Sequence, residues 1–192
     1  MSISLNKGQS VSLQKSDGGG LSRVRMGLGW DAQKVKGLFG KVKEKSVDLD
    51  ASCLLFDASN ILRDQVWFSQ LRSKDGALQH LGDNLTGRGD GDDESIVVDL
   101  SAVNPEITQL VFVVSSYSGQ SFSAIENAFC RLIDSSNEQE VARYDLSGSG
   151  AHTAQIMAKV SRSGSGWTMT ALGVKTNGRT IKDMMPAVSQ TL

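Results

Sequence analysis

The chain has 192 residues, 39% of them apolar, with 20 glycines and a formal net charge of −1. That length suits one domain with a buried core, and the composition excludes disordered and collagen-like chains. No basic excess points to a nucleic-acid partner, and no apolar run approaches the roughly 18 residues that a membrane-spanning helix needs.

The first residues, MSISLNKGQS, lack the apolar stretch of a secretory signal. Cys53 and Cys130 lie far apart in hydrophobic contexts. A cytoplasmic chain with reduced thiols is therefore expected. In chain order, strands are predicted at residues 11–13, 23–26, 47–56, 95–100 and 109–114. Residues 128–134 and 140–146 follow, then 156–160 and 167–174. Most alternate with period two or are rich in β-branched residues, and Gly, Ser, Asn and Asp separate them. This pattern predicts an antiparallel β-sandwich. Helix signals are few. Ser123 and Glu126 have capping-box spacing, and residues 180–188 can form a short helix that Pro186 limits. No repeat or domain linker interrupts the chain, so residues 1–192 are expected to form one domain, with a lysine-rich loop insertion over 33–46.

Charge is not spread evenly. Residues 83–94, DNLTGRGDGDDE, hold Asp83, Asp90, Asp92, Asp93 and Glu94 against the single base Arg88. Calcium takes six to eight oxygens from carboxylates, amides, carbonyls and water, and this loop offers them densely. Gly87, Gly89 and Gly91 let the backbone turn tightly. A solvated acidic turn is the competing reading. An EF-hand fits at Asp83 and Glu94 but places Arg88 where glycine is required. Neither a tandem glycine-rich calcium repeat nor a phosphate-binding P-loop matches. Asp48 and Asp50 stand two apart in a strand, so their side chains share one face while Val47, Leu49 and Ala51 take the other. Asp31, after Trp30, is a third acidic candidate.

Three segments carry a family resemblance. Gly27-Leu28-Gly29-Trp30-Asp31, Asp48-Leu49-Asp50-Ala51-Ser52, and the run from Gly82 through Asp83, Asn84, Thr86, Gly87, Gly89, Asp90 and Gly91 to Asp92-Asp93-Glu94 resemble the TerD family of bacterial tellurite-resistance and stress-response proteins. AFCRLID (128–134) and EVARYDL (140–146) also fit. The resemblance covers roughly residues 1–175. It implies a cytoplasmic β-sandwich that binds one or two Ca²⁺ ions, with metal ligands falling on Asp31, Asp48, Asp50, Asp83, Asn84, Asp90, Asp92, Asp93 and Glu94. It also implies a role in tellurite and oxidative-stress resistance, and other tellurite-resistance proteins or a membrane-bound complex as partners. The lysine-rich segment 33–46 and the residues after about Val174 depart from the family pattern.

Other residues are read more plainly. Lys34, Lys36, Lys41, Lys43 and Lys45, with one glutamate, surround a Gly37-Leu38-Phe39-Gly40 tip. This is a solvated loop or a docking element for an anionic membrane or acidic partner. The two cysteines read as small core residues, and the three tryptophans as core or rim packing. His80 reads as structural or exposed, because calcium prefers oxygen. No G-x-S-x-G nucleophile motif appears. The expected function is a calcium-binding, non-catalytic stress-response module. A nucleotide- or small-ligand-binding module with bridging calcium is the alternative. A metal-dependent hydrolase comes third, because no lysine or histidine base joins the carboxylates.

Overall fold

The computed structural model describes residues 3–4, 6–14, 19–31, 33–36, 42–86, 91–146, 150–164 and 166–192. The strands, in chain order, are β1 (Ile3–Ser4), β2 (Ser10–Ser12), β3 (Arg23–Gly29), β4 (Gln33–Lys36), β5 (Val42–Lys45), β6 (Leu49–Asp57) and β7 (Leu62–Val66). They continue as β8 (Leu78–His80), β9 (Glu94–Asp99), β10 (Ile107–Ser116), β11 (Phe129–Asp134), β12 (Gln139–Asp145), β13 (Ala154–Ser163) and β14 (Gly166–Thr176). One helix, α1 (Ile181–Ser189), follows.

Two six-stranded sheets face each other. One runs β1-β12-β11-β3-β9-β8 and the other β2-β14-β13-β10-β6-β7. Every pairing is antiparallel except β1 with β12. The expected antiparallel sandwich is therefore the observed fold. Alternation supplies its core. Val24, Met26 and Leu28 of β3 and Ile96 and Val98 of β9 pack against Leu49, Cys53 and Leu55 of β6 and Leu110, Phe112 and Val114 of β10. Trp30 is buried, and its indole N–H donates to the Val47 carbonyl at 2.9 Å.

The second sheet is apolar on its outer face as well. Leu54, Phe56, Val111, Val113, Ala154 and Ile156 form a second cluster under Ile181, Met184 and Val188 of α1. This explains why β6 loses its polar alternation toward Phe56: both of its faces are covered. Pro186 lies within α1 rather than ending it. A proline there costs the helix a hydrogen bond, which burial of the apolar stripe offsets. Asp183 reaches back to accept from the Arg179 and Thr180 N–H groups at 2.9 and 3.0 Å. The helix start expected from Ser123 and Glu126 is only a 3₁₀ turn, Phe122–Ala124, without a side-chain cap.

Residues 33–36 and 42–45, expected as part of a loop, pair as a separate hairpin, β4 with β5. Its tip at 37–41 lies outside the described residues, as do residues 147–149 of the glycine-serine turn.

Candidate metal centre

One end of the sandwich gathers the loops that leave β3, β8, β10 and β12 and enter β6, β9, β11 and β13. The acidic segments meet there. The segment 91–93 lies back over the outer face of β3, and this explains two of the glycines in that strand. A Cβ at Gly27 would overlap the Asp92 carboxylate, and one at Gly29 would lie 2.5 Å from the Gly91 carbonyl oxygen.

The acids of this loop do different work. Asp92 is almost fully buried and sits between two guanidinium groups, 2.9 Å from Arg25 Nη1 and 2.7 Å from Arg131 Nε. Its charge is answered within the protein. Asp93 accepts from the Trp30 N–H at 2.9 Å and from the Asn84 amide at 2.7 Å. Burial raises its pKa, and the Asp31 and Asp92 charges add to that rise against the Trp30 hydrogen bond. Glu94 is buried. Beyond the last β6–β7 pair, Cys53 with Val66, the Ala51 N–H donates to Glu94 Oε2 at 2.8 Å. The Asn84 N–H donates to Oε1 at 3.1 Å. His80 accepts from the Gly82 N–H through Nδ1, so its Nε2 carries the proton and points at Glu94, 3.4 Å away. Burial still pushes the Glu94 carboxyl up. Asn84 staples its own loop, its amide oxygen accepting from the Thr86 N–H and hydroxyl. Asp31 accepts from the Asn127 amide at 2.6 Å. Asp90 lies outside the described residues.

Three carboxylates remain. Asp48, Asp50 and Asp83 each place an oxygen so that all lie within 4.8 Å of one another, the one such group among the described residues. Asp48 and Asp50 share a face of the strand, as their spacing predicts, and Asp83 comes from the loop after β8. Asp50 is 4% exposed, and its Oδ2 is buried without a hydrogen-bond partner, as is Oδ1 of Asp48. Burial, then Glu94, Asp48 and Asp83, push the Asp50 carboxyl up to about 8. Burial and Asp83 also raise Asp48. Buried polar atoms without partners are rare because each costs the full desolvation of the group. The three acids open onto a cavity of about 190 Å³ that Phe68, Leu85 and Tyr117 complete. A hard cation is the chemical complement: the donors are all oxygen, and their charge is uncompensated.

The charge partners Arg25 and Arg131 left no sign in the sequence, since they stand 67 and 39 residues from Asp92. The apolar rim was equally unmarked. Both cysteines are buried and unpaired; burial pushes the Cys130 thiol up to about 12 and raises the Cys53 thiol as well.

Comparison with known proteins agrees with the fold. A profile of the TerD domain matches residues 1–186. The tellurium resistance protein TerZ of Serratia marcescens is 47% identical over 184 residues, covering 95% of this chain and 94% of its own. The stress response protein SCP2 of Bacillus subtilis is 41% identical, covering 96% and 98%. A crystal structure of a homologue of the telluride resistance protein from Streptomyces coelicolor superposes with a TM-score of 0.69 at 21% identity, covering 83% of this chain and 92% of that one.

Proposed function

The chain belongs to the TerD family of tellurium-resistance and stress-response proteins, and on that premise we propose that it is a calcium-binding, non-catalytic stress-response module. The observation that carries this reading is the partnerless carboxylate triad. Asp48, Asp50 and Asp83 hold the ion, with Asp50 as the buried anchor and Asp83 as the exposed ligand brought by the loop. Calcium supplies positive charge that stabilises three mutually repelling carboxylates. Asp93 and Glu94, whose oxygens are engaged by Trp30, Asn84 and Ala51, shape the walls of the site. Asp92 anchors the loop to Arg25 and Arg131.

Calcium suits the set better than magnesium. Magnesium demands near-ideal octahedral geometry and gives up its waters reluctantly, whereas calcium tolerates irregular carboxylate groups of mixed rigidity. A cytoplasmic location belongs to the same reading, supported by two buried thiols left unpaired. No helix in the described residues is long and apolar enough to cross a membrane. Other tellurite-resistance proteins or a membrane-bound complex are the proposed partners. Calorimetric titration of metal-stripped protein tests the reading. Saturable Ca²⁺ binding with weak Mg²⁺ competition is expected; the absence of a saturable Ca²⁺ isotherm overturns it.

A further inference from the structure

We propose that the metal end of the sandwich docks on an anionic lipid surface when the triad holds calcium. This rests on the calcium reading and adds the partner that the same end recognises.

The first observation is where the exposed apolar residues lie. Six large hydrophobic side chains are exposed among the described residues, and four of them, Leu71, Leu81, Leu85 and Tyr117, are at the metal end, each between 46% and 59% exposed. Leu71 is placed there by its carbonyl, which accepts from the His80 N–H. Leu81 continues the same strand toward the acidic loop. Single exposed leucines are ordinary, but a concentration at one end marks a contact surface. Leu85 and Tyr117 line the acidic cavity itself, beside Phe68. Phe68 packs edge-on against Tyr117, with ring centroids 5.8 Å apart. The apolar rim and the carboxylates therefore belong to one surface.

The second observation is charge. Without an ion, Asp48, Asp50 and Asp83 repel an anionic surface. With Ca²⁺ held, the three carboxylates and the ion leave a single negative charge, and the sequence of the adjoining hairpin carries more positive charge than that. The β4–β5 hairpin leaves the sandwich at this end, between Trp30 and Val47, which the indole hydrogen bond ties together. Its two strands carry Lys34, Lys36, Lys43 and Lys45 against Glu44. Polybasic segments are attracted to anionic leaflets. Three carboxylates binding through one oxygen each fall short of the six to eight oxygens calcium takes. Positions that water would otherwise fill would then be open to phosphate oxygens of lipid headgroups at the cavity mouth. The apolar rim then enters the acyl boundary, and neither the ion nor the lipid suffices alone.

Sedimentation of the full chain with vesicles tests this. Phosphatidylglycerol mixed with phosphatidylcholine is compared with phosphatidylcholine alone, in Ca²⁺ and in chelator. Binding is expected only to the anionic vesicles and only in Ca²⁺. Leu71→Ser/Leu81→Ser, at exposed positions outside the cavity lining, is expected to lower the partition about tenfold or more while Ca²⁺ titration is retained. Leu81→Ser alone serves if the double variant does not fold. Lys43→Glu/Lys45→Glu lowers the partition in the same way. Protein that titrates with Ca²⁺ yet stays in the supernatant overturns the docking and leaves the calcium reading standing. Failure to titrate removes both. Vesicle binding untouched by the rim variants, or abolished by soluble glycerophosphoglycerol at matched phosphate, overturns the surface in favour of a small phosphate ligand.

Discussion

Asp50→Asn in metal-free protein isolates the electrostatic cost at the centre of the site. In the fold this carboxyl holds its proton up to about pH 8, whereas its ordinary value is 3.8. A carboxyl whose pKa rises on folding contributes stability that is full below about pH 4 and is lost as pH climbs toward 8. The loss proceeds at up to about 1.4 kcal/mol per pH unit. Between pH 5 and pH 7 the metal-free protein should therefore lose up to about 3 kcal/mol through this group alone. The substituted amide keeps the shape and cannot ionise. The variant should be the more stable of the two in chelator, by a margin that widens with pH. Urea unfolding at the two pH values, with chelator present, measures the margin. Millimolar Ca²⁺ should narrow the margin, since ligand at a hundredfold excess over Kd adds about 2.7 kcal/mol to the protein that binds it. Parallel pH dependences for the two proteins in chelator, within about 0.5 kcal/mol, would show that Asp50 carries no such cost.

The loop anchor is open to a double-mutant cycle. Gly27→Ala should cost about 2 kcal/mol by forcing a methyl into the Asp92 carboxylate. Asp92→Ala should cost a similar amount by leaving Arg25 and Arg131 without it. Combined, they should cost clearly less than the sum in urea unfolding, because both act on one contact. Met184→Ala, at a fully buried helix position, should destabilise by about 3 kcal/mol in the same assay. Cys53 and Cys130 should resist a thiol reagent in the folded protein and react once it is unfolded, since burial holds both thiols protonated.

The sandwich was legible wherever a strand buries one face. Alternation marked β3, β9 and β11, whereas the helical layer over the outer face of β6 was not expected from the sequence. Strands missed in the sequence lie at edges. β7, LRDQV, carries an arginine and an aspartate and ends the second sheet; β8 has three residues and ends the first. The β4–β5 hairpin belongs to neither sheet, so no apolar period identifies it. At the site, the i, i+2 spacing placed Asp48 and Asp50 on one face. Which acids are neutralised by the protein and which are not was invisible, because that depends on Arg25, Arg131 and the backbone N–H groups of Trp30 and Ala51. The loop looks like one run of equivalent anions, whereas the fold gives Asp92, Asp93 and Glu94 internal partners and leaves Asp83 to join Asp48 and Asp50.

Whether the acids divide in this way is decided by a comparison of Ca²⁺ isotherms. Metal-stripped wild-type protein, Asp48→Asn/Asp50→Asn and Asp92→Asn are titrated by calorimetry under one set of conditions. The double variant should lose saturable binding, while Asp92→Asn should keep the wild-type number of sites and shift affinity by less than about tenfold. Unchanged binding by the double variant, or loss of the site in Asp92→Asn with its fold intact, contradicts the division.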